Sequence, residues 1–150
     1  SESVDMAGVV QDLVREREVL PSEMGVRFEM AVEDVRVRGD RRLLARALGN
    51  LLDNAWRYTP RGGHIRLEVR KEAGEVRCVV QDDGPGIPGE HLARVGEPFF
   101  RADPSRARTS GGMGLGLAIV RSIAERHGGR LQVECPPSGG TRASLLLPVA

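Results

Sequence analysis

The 150-residue chain is 40% hydrophobic and 29% charged, which suits one soluble globular domain with a sizeable core and excludes a disordered tail. A formal net charge of +1 excludes a global field that would gather nucleic acid or an anionic membrane, so neither is expected as a partner. Aromatic residues make up only 3%, so the core must be built from Leu, Val, Ile and Ala.

In chain order, Val4 to Leu20 reads as an amphipathic helix with Val9, Val10, Leu13 and Val14 on one side. Val26 to Val32 alternates as a strand, and Val35 to Arg38 as a shorter one. Asp40 is a good N-cap for a helix running to about Tyr58, before Thr59-Pro60. Ile65, Leu67 and Val69 alternate with Arg66, Glu68 and Arg70. After a Glu72-Ala73-Gly74 turn, Glu75 to Asp82 alternates again through Val76, Cys78 and Val80. Such one-sided strands predict an antiparallel or mixed sheet with a wet face. Residues 94–113 lack periodicity and are rich in Gly, Pro, Arg and Ser, and a loop that long inside a compact domain is usually functional or mobile. A helix follows from Leu115 to a stop at Gly128-Gly129, and Leu131 to Cys135 and Arg142 to Val149 close the chain as a strand pair. The sum is an α+β fold: a two-layer α/β sandwich, one domain over 1–150, with a mixed sheet of about five strands and helices on one face.

Two cysteines, Cys78 and Cys135, are too few and too far apart for a disulfide scaffold or a C-x-x-C metal site; they read as small buried thiols of a reducing compartment. No run approaches the roughly 20 apolar residues of a membrane span, and the N-terminus carries no signal-peptide pattern. The expected setting is cytoplasmic, with any membrane anchor elsewhere in a longer parent.

The helix from Asp40 carries polar residues in an unusual place. Leu43, Leu44, Ala47, Leu48, Leu51, Leu52, Ala55 and Trp56 form one apolar stripe, and Asn50, Asn54 and Arg57 project within roughly 60° of one another along its edge. Asn is a mediocre helix former, so two amides one turn apart beside the core ask for partners. They either bond neighbouring backbone or form a polar floor, with amide oxygens for a hard cation such as Mg²⁺ and Arg57 for an anion.

Two glycine clusters complete the pattern. Gly84, Gly86 and Gly89 spell G-x-G-x-x-G between a strand and a short helix. No carboxylate stands between Asp103 and Glu125, where a dinucleotide loop needs its ribose acid, and no βαβ unit surrounds the motif. The only lysine, Lys71, follows Arg70, which excludes a Walker A loop and a protein-kinase glycine loop. The second cluster, Gly111-Gly112-Met113-Gly114-Leu115-Gly116, opens directly into a helix and suits phosphate. Arg101, Arg106 and Arg108 before it either clamp a triphosphate or lie in solvent. By elimination the first cluster is left for the base: Asp82 ends a strand with a carboxylate that suits an exocyclic amine such as adenine's, and Gly84 and Gly86 let backbone approach the ring.

These pieces, in this order, resemble the catalytic ATP-binding (HATPase) domain of bacterial two-component sensor histidine kinases, within the gyrase, chaperone, kinase and MutL (GHKL) superfamily. Residues 50–60 look like its N box, Asp82 to Ile87 its G1 box, Glu97 to Arg101 its F box, and Gly112 to Val120 its G2 box. Gly139-Gly140-Thr141 resembles the last small motif before the terminal strand. The resemblance implies the Bergerat ATP-binding fold with ATP and Mg²⁺ as cofactors. It assigns Mg²⁺ to Asn54, the phosphate side to Asn50, phosphate contact to Arg57 and the nucleotide pocket to Tyr58. Asp82 would read the adenine amino group, Gly84 and Gly86 would shape the base pocket, and residues 94–113 would be an ATP lid with Arg101 near the phosphates. Ile87, Phe99, Gly112, Met113, Gly114, Leu115, Gly116, Leu117 and Thr141 fall at the family's nucleotide-binding positions. Phe100 stands where Tyr is common and Met113 where Thr or Ser is common.

Superfamily members that hydrolyse ATP resemble one another in having Glu at the position of Asn50, and an amide is no base for water. That implies a protein-histidine kinase that holds ATP for transfer to an outside nucleophile, a histidine on a dimerisation domain absent from this chain. His64, His91 and His127 lack the phosphoacceptor context and read as structural or solvent-facing. The expected partners are that dimerisation domain and a downstream response regulator, and the isolated domain is expected to be a monomer. A nucleotide-gated binding module without transfer activity is the alternative from another class; a stand-alone serine kinase of the anti-sigma type is disfavoured by Asn50.

Overall fold

The computed structural model describes residues 2–17, 25–85 and 113–150, the first three residues of the last segment by their backbone alone. Ten elements follow one another: β1 (Glu2–Asp5), α1 (Met6–Glu16), β2 (Arg27–Val32), β3 (Arg36–Gly39), α2 (Arg41–Tyr58), β4 (His64–Glu72), β5 (Glu75–Asp82), α3 (Met113–Arg126), β6 (Arg130–Glu134) and β7 (Thr141–Pro148). Five strands form a sheet in the order β2-β4-β5-β7-β6. β2 runs parallel to β4 and the other pairs are antiparallel, so the sheet is mixed as expected. β4 and β5 are joined by a tight hairpin whose central residues, Ala73 (φ 53°) and Gly74 (φ 79°), both adopt the left-handed conformation such turns demand.

The alternation on β4 and β5 becomes the floor of the core. Ile65, Leu67, Val69, Val76 and Cys78 are fully buried, and their neighbours stay partly wet. α2 lays Leu44, Leu48, Leu51, Leu52, Ala55 and Trp56 into the same core, and α3 adds Leu117, Val120, Ile123 and Ala124. Trp56 stacks on Phe28 of β2 with ring centroids 5.5 Å apart and planes 13° from parallel. The wet face is incomplete on β7, where Leu146 is as buried as Leu145 and Leu147. Its cross-strand partners are Arg77 and Arg130, whose aliphatic stems are long enough to cover it.

The N-terminus departs from the expected helix over Val4 to Leu20. Residues 2–5 form a strand that pairs antiparallel with β3, Val4 directly opposite Val37 and both buried. The helix starts only at Met6 and ends at Glu16; Leu20 lies outside the described residues. A four-residue strand with one apolar residue carries no period of its own, so only its distant partner reveals it.

Asp40 caps α2 as its position predicts, Oδ1 accepting from the backbone N–H of Arg42 (2.9 Å) and Leu43 (3.2 Å). The backbone N–H of Asp40 donates to His127 Nε2 (3.1 Å), and His127 Nδ1 faces the Ile123 carbonyl at 2.7 Å. His127 thus carries its proton on Nδ1 and ties the end of α3 to the start of α2, a structural role. Replacing Asp40 with Ala removes the cap and is expected to lower unfolding free energy by about 1 kcal/mol; urea denaturation checks this against a surface control, Arg42→Ala.

Candidate functional site

Burial of α2 through one stripe leaves its polar edge facing α3. Asn50, Asn54 and Arg57 line one cleft of about 220 Å³, as their helical spacing predicts. Arg46 and Asp53 join them from α2, and Gly116 and Ile119 form the opposite wall. A Cβ on Gly116 would stand 3.8 Å from the Asn54 amide, so the glycine keeps the α3 wall low against Asn54. Gly116 lies in the first turns of α3, where unpaired N–H groups favour negative charge. Arg46, Asp53 and Ile119 were not singled out from sequence; Arg46, one turn before Asn50, was recoverable from the helical period.

Asn54 Nδ2 is buried without a hydrogen-bond partner among the described residues. Amide nitrogen and oxygen exchange by a half-turn, so the same position offers an unsatisfied oxygen to a ligand. No group of three His, Cys, Asp or Glu side chains gathers among the described residues. An amide oxygen at Asn54 fits a hard cation that would take its remaining ligands from phosphate and water, as Mg²⁺ prefers.

Farther along α2 is a second polar centre. Asp82 ends β5 opposite Thr141 of β7 and is 8% exposed. Burial pushes its carboxyl up to about 6, although backbone N–H groups of Gly84 and Thr141 bond the carboxylate and Asp83 adds a small upward push. The Gly84 bond to Asp82 Oδ1 is 2.8 Å. Two glycines make this pocket possible. A Cβ on Gly84 would fall 2.8 Å from the Tyr58 carbonyl oxygen, and one on Gly140 (φ 78°) would collide with the Asp82 carbonyl oxygen. The end of α2 is thereby clamped to the end of β5, with Thr59 Oγ1 buried beside it and unpartnered among the described residues. Asn50 and Tyr58 are separated by about 12 Å along the helix axis, so one helix carries both centres.

Of the other positions, Gly86, Ile87, Phe99, Arg101, Gly112 and the expected lid before Met113 lie outside the described residues, as do Phe100, Arg106, Arg108 and His91. Met113, Gly114 and Leu115 open α3, and Leu117 is packed into the core. His64 pairs with Glu29 at 3.1 Å. Cys78 is buried, which pushes its thiol up to about 12, and Cys135 is half-buried; neither forms a disulfide.

A buried carboxyl raised above its unfolded value of 3.8 stabilises the fold most below that value, and the contribution is lost as pH rises toward 6. Asp82→Asn should therefore gain stability relative to the parent between pH 4 and 7, by up to about 3 kcal/mol. Denaturation at both pH values measures this; a pH-independent difference would show that Asp82 is not held in this way.

Residues 39–150 match the family described as histidine kinase-, DNA gyrase B- and HSP90-like ATPase. The sensor-like histidine kinase SenX3 of Mycobacterium tuberculosis is 38% identical over 146 residues, 97% of this chain and 36% of SenX3, so the chain spans about a third of that relative. The solved structure of the mycobacterial sensor histidine kinase MprB superposes with a TM-score of 0.82 at 36% identity, covering 99% of this chain and 97% of MprB's. Histidine kinase ThkA, solved in complex with the response regulator protein TrrA, superposes at 0.83 with 26% identity, covering 99% of this chain and 42% of that one. The chain belongs to the histidine kinase-, DNA gyrase B- and HSP90-like ATPase family, and within it to the ATP-binding catalytic domains of sensor histidine kinases.

Proposed function

We propose that this chain binds Mg-ATP along α2 and presents the γ-phosphate to a histidine on a separate helical dimerisation domain of the same parent, as the catalytic part of a protein-histidine kinase. The observation that carries the reading is the alignment of Asn50, Asn54 and Arg57 in one cleft, with a buried Asn54 amide lacking a partner among the described residues. Asn54 would offer its amide oxygen to Mg²⁺, Asn50 and Arg57 would hold phosphate oxygens, and Asp82 would accept from the adenine amine. Bound Mg²⁺ supplies charge neutralisation and orientation of the phosphates. Asn50 cannot take a proton from water, so the site favours holding ATP until an acceptor arrives over hydrolysing it. The parent would act on a response regulator, as the ThkA–TrrA complex illustrates for a relative. We propose that this domain lies on the cytoplasmic side of a membrane-anchored parent; separately, no described helix is long and apolar enough to cross a membrane.

Calorimetry of Mg-ATP binding should show Asn54→Ala and Asp82→Asn each weakened by about tenfold or more, the usual effect of losing a hydrogen bond or ligand to a charged group. Unchanged affinity in both refutes the residue assignments. Incubated with labelled ATP, the chain alone should remain unlabelled and should label an added helical domain carrying the parent's phosphoacceptor histidine. ATP binding without any transfer to that domain would favour a nucleotide-gated module instead.

A further inference from the structure

Asp53 is the only carboxylate among the described residues lining the cleft, and an anion there opposes a triphosphate. Its charge is met from a distant part of the chain. Arg17, the C-cap residue just after α1, donates Nε to Asp53 Oδ1 at 2.8 Å and Nη2 to Oδ2 at 3.3 Å, a two-pronged grip on both oxygens. The Arg17 side chain is 17% exposed and that of Asp53 47%, so the cation is the more deeply set partner. Nη1 is anchored in turn by the Leu13 carbonyl oxygen at 3.1 Å. Gly49 makes room for the guanidinium, since a Cβ there would stand 3.1 Å from Nη2. Asp53, with a smaller contribution from exposed Glu16, which faces Nη1 at 3.4 Å, holds the Arg17 guanidinium above its usual range against burial, which would lower it.

An ion pair that only fastened α1 to α2 would serve equally well anywhere along their contact. This one involves the single described carboxylate of the cleft and satisfies both of its oxygens. We propose that Arg17 is a positioning residue of the nucleotide site: by gripping Asp53 it cancels the one anionic charge on the described cleft wall and leaves the amides of Asn50 and Asn54, with Arg46 and Arg57, to face the phosphates. This rests on the nucleotide reading above. It predicts a ligand-selective defect, because an uncompensated Asp53 repels phosphate and leaves the distant Asp82 centre intact.

The test compares Mg-ATP binding by calorimetry with adenosine binding by NMR titration, using the chain as described. Arg17→Gln should bind Mg-ATP about tenfold more weakly while binding adenosine as the parent does. Adding Asp53→Asn should restore Mg-ATP affinity to within about twofold, because the charge that Arg17 masks is gone. Rescue by removal of the partner is a result that a purely structural tether does not give. Arg17→Lys, which keeps the charge and loses the two-pronged grip, provides a milder variant if Arg17→Gln fails to fold; it should show a smaller loss with the same selectivity. Mg-ATP affinity unchanged in Arg17→Gln, equal loss of both ligands, or no rescue in the double variant would each overturn the proposal. A parent chain that binds neither ligand would instead overturn the nucleotide reading, and this proposal with it.

Discussion

The structure depends on how α2 is buried. Its apolar stripe must meet the sheet, and once Leu44, Leu48, Leu51, Leu52 and Ala55 are in the core the rotation of the helix is fixed. That rotation places Asn50, Asn54 and Arg57 on the border with α3, where they line the cleft. A helix is the right carrier, because its side chains keep their spacing without further support. Asp40 at the start of α2, bonded to its first turn and to His127 just after α3, holds the two helices in register at the opposite end.

The two polar centres differ in what secures them. The cleft between α2 and α3 relies on side chains and on the low wall at Gly116. The Asp82 centre relies on close backbone approach, with Gly84 against Tyr58 and Gly140 against Asp82 itself. Asp82 is also where the fold holds a carboxyl in an unfavourable setting, raised to about 6 by burial. Packing alone gives no reason to bury an acid at a strand end, whereas a ligand amine supplies one. On the proposed reading the Arg17–Asp53 pair follows the same logic in the cleft between α2 and α3, where a charge unsuited to phosphate is matched from within the protein.

Much of this was legible in the sequence because it is local. The 3.6-residue period of α2, the Asp40 cap, the alternation of β4 and β5, and the alignment of Asn50, Asn54 and Arg57 all arise within one or two turns of chain. What sequence did not disclose comes from contacts between distant segments. β1 exists because Val4 meets Val37. Leu146 is buried on the face expected to be wet because arginines of two neighbouring strands flank it. Arg17 and Asp53 are 36 residues apart, and no periodicity links the end of one helix to the middle of another. Gly140 belongs to a small sequence motif, but its reason, a left-handed turn pressed against Asp82, is visible only in three dimensions.

We propose that the Asn54 face of α2 is the metal and phosphate floor. The most direct measurement is paramagnetic NMR with Mn²⁺ in place of Mg²⁺ and ATP as ligand. Line broadening should be strongest at the Asn54 side-chain amide and at the Gly116 backbone, and markedly weaker at Thr141 beside Asp82. Broadening centred on Thr141 and Gly84, with Asn54 and Gly116 unaffected, would contradict it.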